Sequence, residues 1–376
     1  MKIAMVSSTR YPTEKAYGVT IQHTCAALRK LGHETRIYSP SPNCLDASGN
    51  KVISIMKGSN ATALIENFLD SGKFLFAFRS LILGARFKFG TRIEKFDLIW
   101  MRDLYLANTL RLLGFKGYLV IEIHHIPTGI SLRILQKLSK KKTVIATLTS
   151  HHRQNLIDLK IAGPICISPM GVPDEFFIAP RAKNAGISHK FGYLGKATSS
   201  GESNRLDVLI EEFLESARLD DELHLSIVGL TERDIRFFED TLTQGIISSD
   251  SISLIGAVPH AEVIKYLSDF YCGIVPYLDS QYNSMRFPIK LLEYAASSTH
   301  IIASDIPAHR SLLNDSQATF YDPSDPGSLS RAISFIRSNE DEIAVKISNA
   351  FVWAEKYTYE YRVHQAMSSI SDLKIR

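Results

Sequence analysis

A chain of 376 residues, 45% hydrophobic and 22% charged, is too long for one ordinary core and reads as two soluble domains of similar size. Four scattered cysteines (Cys25, Cys44, Cys166, Cys272) with no C-x-x-C pair argue against a zinc cluster or a disulfide scaffold and suit a reducing cytosol. The net charge of +4 hides an asymmetry, with 24 Lys and Arg against 12 Asp and Glu over residues 1–180, and 19 against 27 in the remainder.

The amino terminus, "MKIAMVSSTRYP", reads as a strand and a polar turn with no apolar signal-peptide core. No run approaches the ~18–20 apolar residues of a spanning helix. "KIAMVSS", the helically spaced "TIQHTCAALRKLGH" and "ETRIYSP" form a strand–helix–strand unit, which implies a parallel sheet with helices on its faces. Residues 60–96 read as helical, basic and rich in phenylalanine (Phe68, Phe74, Phe76, Phe78, Phe87, Phe89). "FDLIWMR", "GYLVIEIHH", "TVIATLT" and "ICISPMGV" complete a first doubly wound layer, with a helix from about His151. A polar linker is expected near residue 185. A second strand–helix series then begins at "KFGYLG", putting a first domain at 1–184 and a second at 185–351. An aromatic helical segment, about 352–376, is expected to cross back onto the first domain.

In open parallel sheets ligands bind beyond the carboxyl ends of the strands, so the loops there are where to look. Neither G-x-G-x-x-G nor a P-loop follows a strand in this chain, which counts against dehydrogenases and NTPases. The loop "YLGKATSSGESNR" reads as a flexible Gly/Ser stretch bracketed by Lys196 and Arg205 before a helix. Two cations at a helix start suit a diphosphate, and a solvated loop is the plain alternative. In "FPIKLLEYAASSTHIIASDIP" Lys290 falls in the first turn after Pro288, and Glu293 lies one turn on. An ion pair on the helix surface is the plain reading. The sharper one is a nucleoside diphosphate, with Lys290 on phosphate and the carboxylate on a ribose diol.

P-x-K-x-x-E-Y followed by "IIASDIP" resembles the donor-site signature of GT-B glycosyltransferases, specifically the retaining glycosyltransferase family 4. "LRKLGHETRIYSP", "ISPMGVPDEFF", "FGYLG…NRLDVLIEEF" and "SISLIGAVPHAEVIKYLSDFYCGIVPY" resemble further segments of that family, in order along nearly the whole chain. The resemblance implies two facing Rossmann-like doubly wound domains with a cleft between them. The amino-terminal one would bind the acceptor and the carboxyl-terminal one the nucleotide-sugar. It implies ribose binding by Glu293, diphosphate binding by Arg205 and Lys196 in an order left open, and a His facing the transferred sugar at "EIHH". His124 is the main candidate for that role and His125 the second. Gly18 would lie near acceptor and donor phosphate. Asn283, Ser284 and Gly229 join Lys290 on the donor side, and Arg102 and Tyr17 join His125 on the acceptor side. Where the family carries the first Glu of E-x7-E, this chain has Met285, which leaves the sugar open.

The expected reaction moves a sugar to a glycan or lipid-linked acceptor with retention, in surface polysaccharide or glycolipid synthesis. Arg205, Lys196 and Lys290 would stabilise the departing diphosphate without a metal or other cofactor. The rivals are a nucleotide-sugar epimerase on the same fold and a non-catalytic sugar-nucleotide binder. A nucleic-acid partner is not expected, because the basic residues lack interleaved stacking motifs. The basic stretch 68–95 (Lys73, Arg79, Arg86, Lys88, Arg92, Lys95) reads either as core helices with solvated faces or as a peripheral membrane contact of a cytoplasmic protein.

Overall fold

The computed structural model describes residues 1–13, 16–55, 73–91, 95–179, 189–199, 201–244, 251–284 and 287–375. The chain divides into two units, Met1–Gly171 with Tyr359–Arg376, and Val172–Thr358.

The first unit is built on β1 (Lys2–Val6), β2 (Glu34–Ser39), β3 (Cys44–Leu45), β4 (Lys51–Ser54), β5 (Leu98–Met101), β6 (Tyr118–Ile123), β7 (Thr143–Thr147) and β8 (Ile165–Ile167). They order as β3-β4-β2-β1-β5-β6-β7-β8, all parallel except β3. The central strands "LIWM" and "TVIAT" are buried throughout, as a parallel sheet covered on both faces requires. On one face Leu28 of helix Ala16–Lys30 and Val363 and Ile370 of helix Tyr359–Ile375 pack on Ile3 and Trp100. On the other, Phe87, Leu106, Leu110 and Leu135 pack on Ala4, Ile99 and Ile121.

The second unit carries β9 (Lys190–Leu194), β12 (His224–Leu230), β13 (Ile252–Gly256), β14 (Cys272–Val275), β15 (His300–Ser304) and β16 (Ala318–Tyr321), with a small hairpin of β10 (Thr198–Ser199) and β11 (Glu202–Ser203). The main sheet is parallel, ordered β13-β12-β9-β14-β15-β16. In each sheet the first strand has neighbours reached in opposite directions, so the strand order reverses beside β1 and β5 in one unit and beside β9 and β14 in the other. These are the switch points where open α/β sheets bind ligands.

Several boundaries differ from the sequence reading. The division falls at 171/172, not 184/185. The reason is that "VPDEFF" packs with the second unit, where Val172 N–H donates to Tyr357 O and Phe176 stacks on His260. The expected linker lies in residues 180–188, outside the described residues. The expected single crossing segment is two helices. Glu340–Ala354 stays with the second unit, and Tyr359–Ile375 goes with the first. The loop read as a flexible Gly/Ser stretch folds as the β10–β11 hairpin, antiparallel with Thr198 opposite Ser203. Of the basic stretch, the helix Lys73–Thr91 is described, while 56–72 and 92–94 lie outside the described residues. Among the described residues no helix is long and apolar enough to cross a membrane.

Candidate active site

At the second unit's switch point, the chain leaves β9 through Gly195, whose φ of +126° is open to glycine but strained for other residues. Gly229, with φ +105°, crosses behind it so closely that a Cβ there would sit 3.2 Å from Gly195 Cα. The pair therefore keeps a side-chain-free backbone patch at the ends of β9 and β12. The helix Ile289–Ala296 begins beside this patch. Pro288 precedes it in extended conformation, and the hydroxyl of its Tyr294 accepts from Leu194 N–H at 3.0 Å. Lys290 Nζ lies 3.8 Å from the centre of the Tyr193 ring and 5.1 Å from that of Tyr277. A Cβ on Gly195 would stand 3.2 Å from the same ammonium. Two ring faces thus hold one cation against a glycine backbone at a helix start, where first-turn N–H groups also point outward.

Glu293 lies in the same helix and is largely buried, with Oε1 at 3.1 Å from His260 Nε2. The imidazole stacks on Phe176, with centroids 5.0 Å apart and rings 17° from parallel. Lys290 and Glu293 are therefore not an ion pair. Each is held by its own partner, the cation by tyrosines and the carboxylate by a histidine from the segment after β13.

The hairpin loop is ordered by Asn204, whose amide donates to Lys196 O at 2.8 Å and to Ser199 Oγ at 3.1 Å. Tyr193 Oη also donates to Lys196 O. The Lys196 side chain itself is exposed. Arg205 adopts a left-handed φ of +58° just before helix Leu206–Ala217, with Nε 3.8 Å from Asp207 Oδ1. A non-glycine residue in that region costs about 1–2 kcal/mol. Asn283 is buried and its amide donates to Leu278 O at 2.8 Å, so the side chain shapes its own loop. Ser284 closes the short helix Gln281–Ser284, and Met285 lies outside the described residues.

At the first unit's switch point the ends of β1 and β5 open into a cavity of about 180 Å³, lined among others by Ser7, Thr9, Tyr17, Thr24, Arg102 and Glu122. Gly18 is buried where a Cβ would meet Thr13 O at 2.2 Å, so the loop can close on the helix Ala16–Lys30. Tyr17 Oη donates to Arg10 O at 2.8 Å.

The centre of this site is Glu122, in β6. Its Oε1 accepts from Trp100 Nε1 at 2.6 Å and lies 2.7 Å from Arg362 Nη2. Its Oε2 accepts from Arg102 Nε at 2.7 Å and lies 3.2 Å from His124 Nε2. Burial alone would raise this carboxyl, but Arg362 and Arg102, and then His124, outweigh it and hold it well below the ordinary carboxylate range. Arg102 is thus paired with Glu122 and not with the adjacent Asp103, which caps helix Leu104–Leu112. Burial, with the Arg102 guanidinium beside it, pushes His124 down to about 4. The ring is therefore neutral at pH 7. With Nε2–H donating to Glu122, Nδ1 is left as an acceptor. His125, the next residue, is exposed.

The structure places Arg102 and Tyr17 on the first unit's cavity, with His124 against Glu122, and Lys290, Glu293 and Gly229 at the other switch point. Lys196 and Arg205 flank the hairpin that follows β9, the Lys196 side chain exposed and Arg205 beside Asp207. Sequence reasoning passed over Glu122, Arg362 and His260. Glu122 stood in the quoted "EIHH" segment, whereas Arg362 and His260 carry no local pattern that marks their partners.

Residues 188–339 match the family described as Glycosyl transferases group 1. No curated protein matches the chain in sequence. Among solved structures, sucrose-phosphate synthase from Thermosynechococcus elongatus is similar at a TM-score of 0.73 and 14% identity, covering 100% of this chain and 99% of that one. A glycosyltransferase from Rickettsia africae ESF-5 gives 0.73 at 15% identity, over 99% and 98%. Anabaena Alr3699/HepE in complex with UDP gives 0.72 at 12% identity, over 99% and 100%. Such likeness over whole chains fixes the fold as GT-B. With the match over 188–339, the chain is a glycosyltransferase-type enzyme.

Proposed function

We propose that the chain transfers a sugar from a nucleoside-diphosphate donor to a glycan or lipid-linked acceptor, with retention of anomeric configuration, in glycan or glycolipid synthesis at the inner face of a membrane. The observation that carries this is the start of helix Ile289–Ala296. A ring-held ammonium and a histidine-held carboxylate stand one turn apart there, beside a glycine-only backbone patch. That constellation suits a diphosphate next to a ribose: the cation and first-turn amides meet phosphate oxygens, and Glu293 accepts from two hydroxyls. The Anabaena neighbour described with UDP, and with UDP-glucose in a further structure, supports a nucleoside diphosphate as the donor class. Retention rests on the resemblance to family 4.

As the C1–O bond breaks, negative charge gathers on the leaving diphosphate. Lys290, Lys196 and Arg205 stabilise it electrostatically, and fixed charges aimed at a developing anion are the strongest means such a site has of lowering the barrier. The acceptor hydroxyl oxygen bonds to C1 on the face the diphosphate leaves, and its proton passes to the departing phosphate oxygen. Glu122 is saturated by Trp100, Arg102, His124 and Arg362 and does not act as a nucleophile. It positions the Arg102 guanidinium and the His124 ring, whose Nδ1 accepts from a sugar hydroxyl. The test is turnover of UDP-, GDP- and ADP-sugars, with and without acceptor lipids, by wild type, His124→Ala and Glu293→Ala. Turnover by wild type that collapses in both variants supports the reading. Binding without turnover by wild type would leave a sugar-nucleotide binder instead.

A further inference from the structure

The helix Lys73–Thr91 turns one face to the core of its unit. Ser80, Leu83 and Phe87 are fully buried. A Cβ on Gly84 would meet Thr109 Cγ2 at 2.6 Å, so this helix is pressed against helix Leu104–Leu112. Ser80 Oγ donates to Asp103 Oδ2 at 2.7 Å, and Arg79 donates to Ser8 O. At 100° per residue the opposite face is Phe78, Leu81, Ile82, Ala85 and Phe89, an unbroken apolar stripe. Phe78 is 55% exposed, Leu81 49% and Phe89 78%. Arg86 and Lys88 fall about 80° to either side of the stripe, one on each border. The helix has no acidic residue.

We infer that this face docks on an anionic lipid bilayer, with Phe78 and Phe89 entering the headgroup boundary and Arg86 and Lys88 meeting lipid phosphates. Charge selects this occupant. The unit that carries the helix holds 27 Lys and Arg against 12 Asp and Glu, a net of +15, which draws it to an anionic surface. A second copy of the chain would bring two units of the same strongly positive net charge together, which opposes that pairing. An apolar stripe edged by cations on a helix lying in the surface plane is the form interfacial anchoring takes. The inference rests on the lipid-linked alternative for the acceptor, and it locates where that acceptor would be met.

The test is co-sedimentation of the full chain with vesicles of phosphatidylcholine plus phosphatidylglycerol and with phosphatidylcholine alone. It uses wild type, Phe78→Ser/Phe89→Ser and Arg86→Glu/Lys88→Glu. The substituted side chains lie off the packed face, and thermal unfolding of each variant checks that it folds. Wild type should pellet with anionic vesicles at low salt and be released at high salt. The phenylalanine variant should bind about tenfold more weakly or worse, and the charge variant should lose the preference for phosphatidylglycerol. Binding that is unchanged in the phenylalanine variant overturns the inference. So does a wild-type dimer in sedimentation velocity that Phe78→Ser/Phe89→Ser dissolves while no lipid binds, because the face is then a contact between copies. Nucleotide-induced thermal stabilisation, which these substitutions should leave intact, separates failure here from failure of the donor reading.

Discussion

Replacing Arg362 with Met should unfold the first unit far more readily than a change in the last helix of a chain would suggest. The guanidinium is 1% exposed. Its Nη2 stands 2.7 Å from the 4%-exposed carboxylate of Glu122, and its Nη1 donates to Ser168 O at 2.7 Å and Pro169 O at 2.6 Å. Breaking one side of a buried pair costs about 3–5 kcal/mol, since it strands the other charge. Glu122 keeps Arg102, which lowers that figure. Two carbonyls lose their donor, which adds about 1 kcal/mol each. A net loss of about 3–5 kcal/mol follows, a large part of the stability of any single domain. The chain has two tryptophans. Trp353 belongs to the second unit and Trp100 donates to Glu122 itself, so urea unfolding followed by fluorescence in a Trp353→Phe background reports the first unit alone. Glu122→Gln/Arg362→Met should cost less than the sum of its single changes by about 1–3 kcal/mol, because the two side chains are in contact. A loss below about 1 kcal/mol for Arg362→Met, far short of the cost of breaking a buried pair, or strict additivity in the cycle, would refute the reasoning.

Three further outcomes are expected. His260→Ala should raise the donor KM about tenfold through loss of the hydrogen bond that fixes Glu293, with kcat much less affected and partial rescue by His260→Gln. Equal loss in both parameters would make His260 no more than structural. Gly229→Ala should destabilise the second unit by about 1–3 kcal/mol, because a left-handed φ and the Gly195 backbone both oppose a Cβ. A neutral result in urea unfolding would contradict the patch. Acid should weaken both units. Burial pushes His124 and His152 down to about 4 and His300 to about 3, so between about pH 6.5 and 4 the unfolded chain takes up protons that the folded chain refuses. Stability is thus lost as pH falls through that window, and His300→Gln should make the acid dependence of the second unit shallower in thermal melts. An unchanged slope would contradict this.

Much of the architecture was legible because it is written locally. Parallel strands buried on both faces appear as short apolar runs such as "LIWM" and "TVIAT", and the helix that begins at Ile289 has its proline, its spacing and its small-residue exit in one stretch. The first-unit site was half legible. His124 stands at a strand end where ligands are met, but Glu122 reads as one polar residue in an apolar run, and its hold on Arg362 joins segments far apart in the chain. His260 was hidden for the same reason, since its two contacts, Phe176 and Glu293, come from different loops. The domain boundary was misplaced because an apolar segment such as "VPDEFF" shows that it will be buried, not in which core. The hairpin at Thr198–Ser203 was read as flexible because Gly and Ser mark turns and linkers alike.

Nucleotide binding at the start of the helix Ile289–Ala296 is the claim on which the proposed function depends. Calorimetric titration of UDP, GDP and ADP into wild type, Lys290→Met and Glu293→Gln tests it most directly. At least one nucleotide should bind wild type and lose about tenfold or more in affinity in each variant, as removal of a charge-assisted contact requires. Failure of all three to bind wild type, or equal affinity across the three proteins, would contradict it.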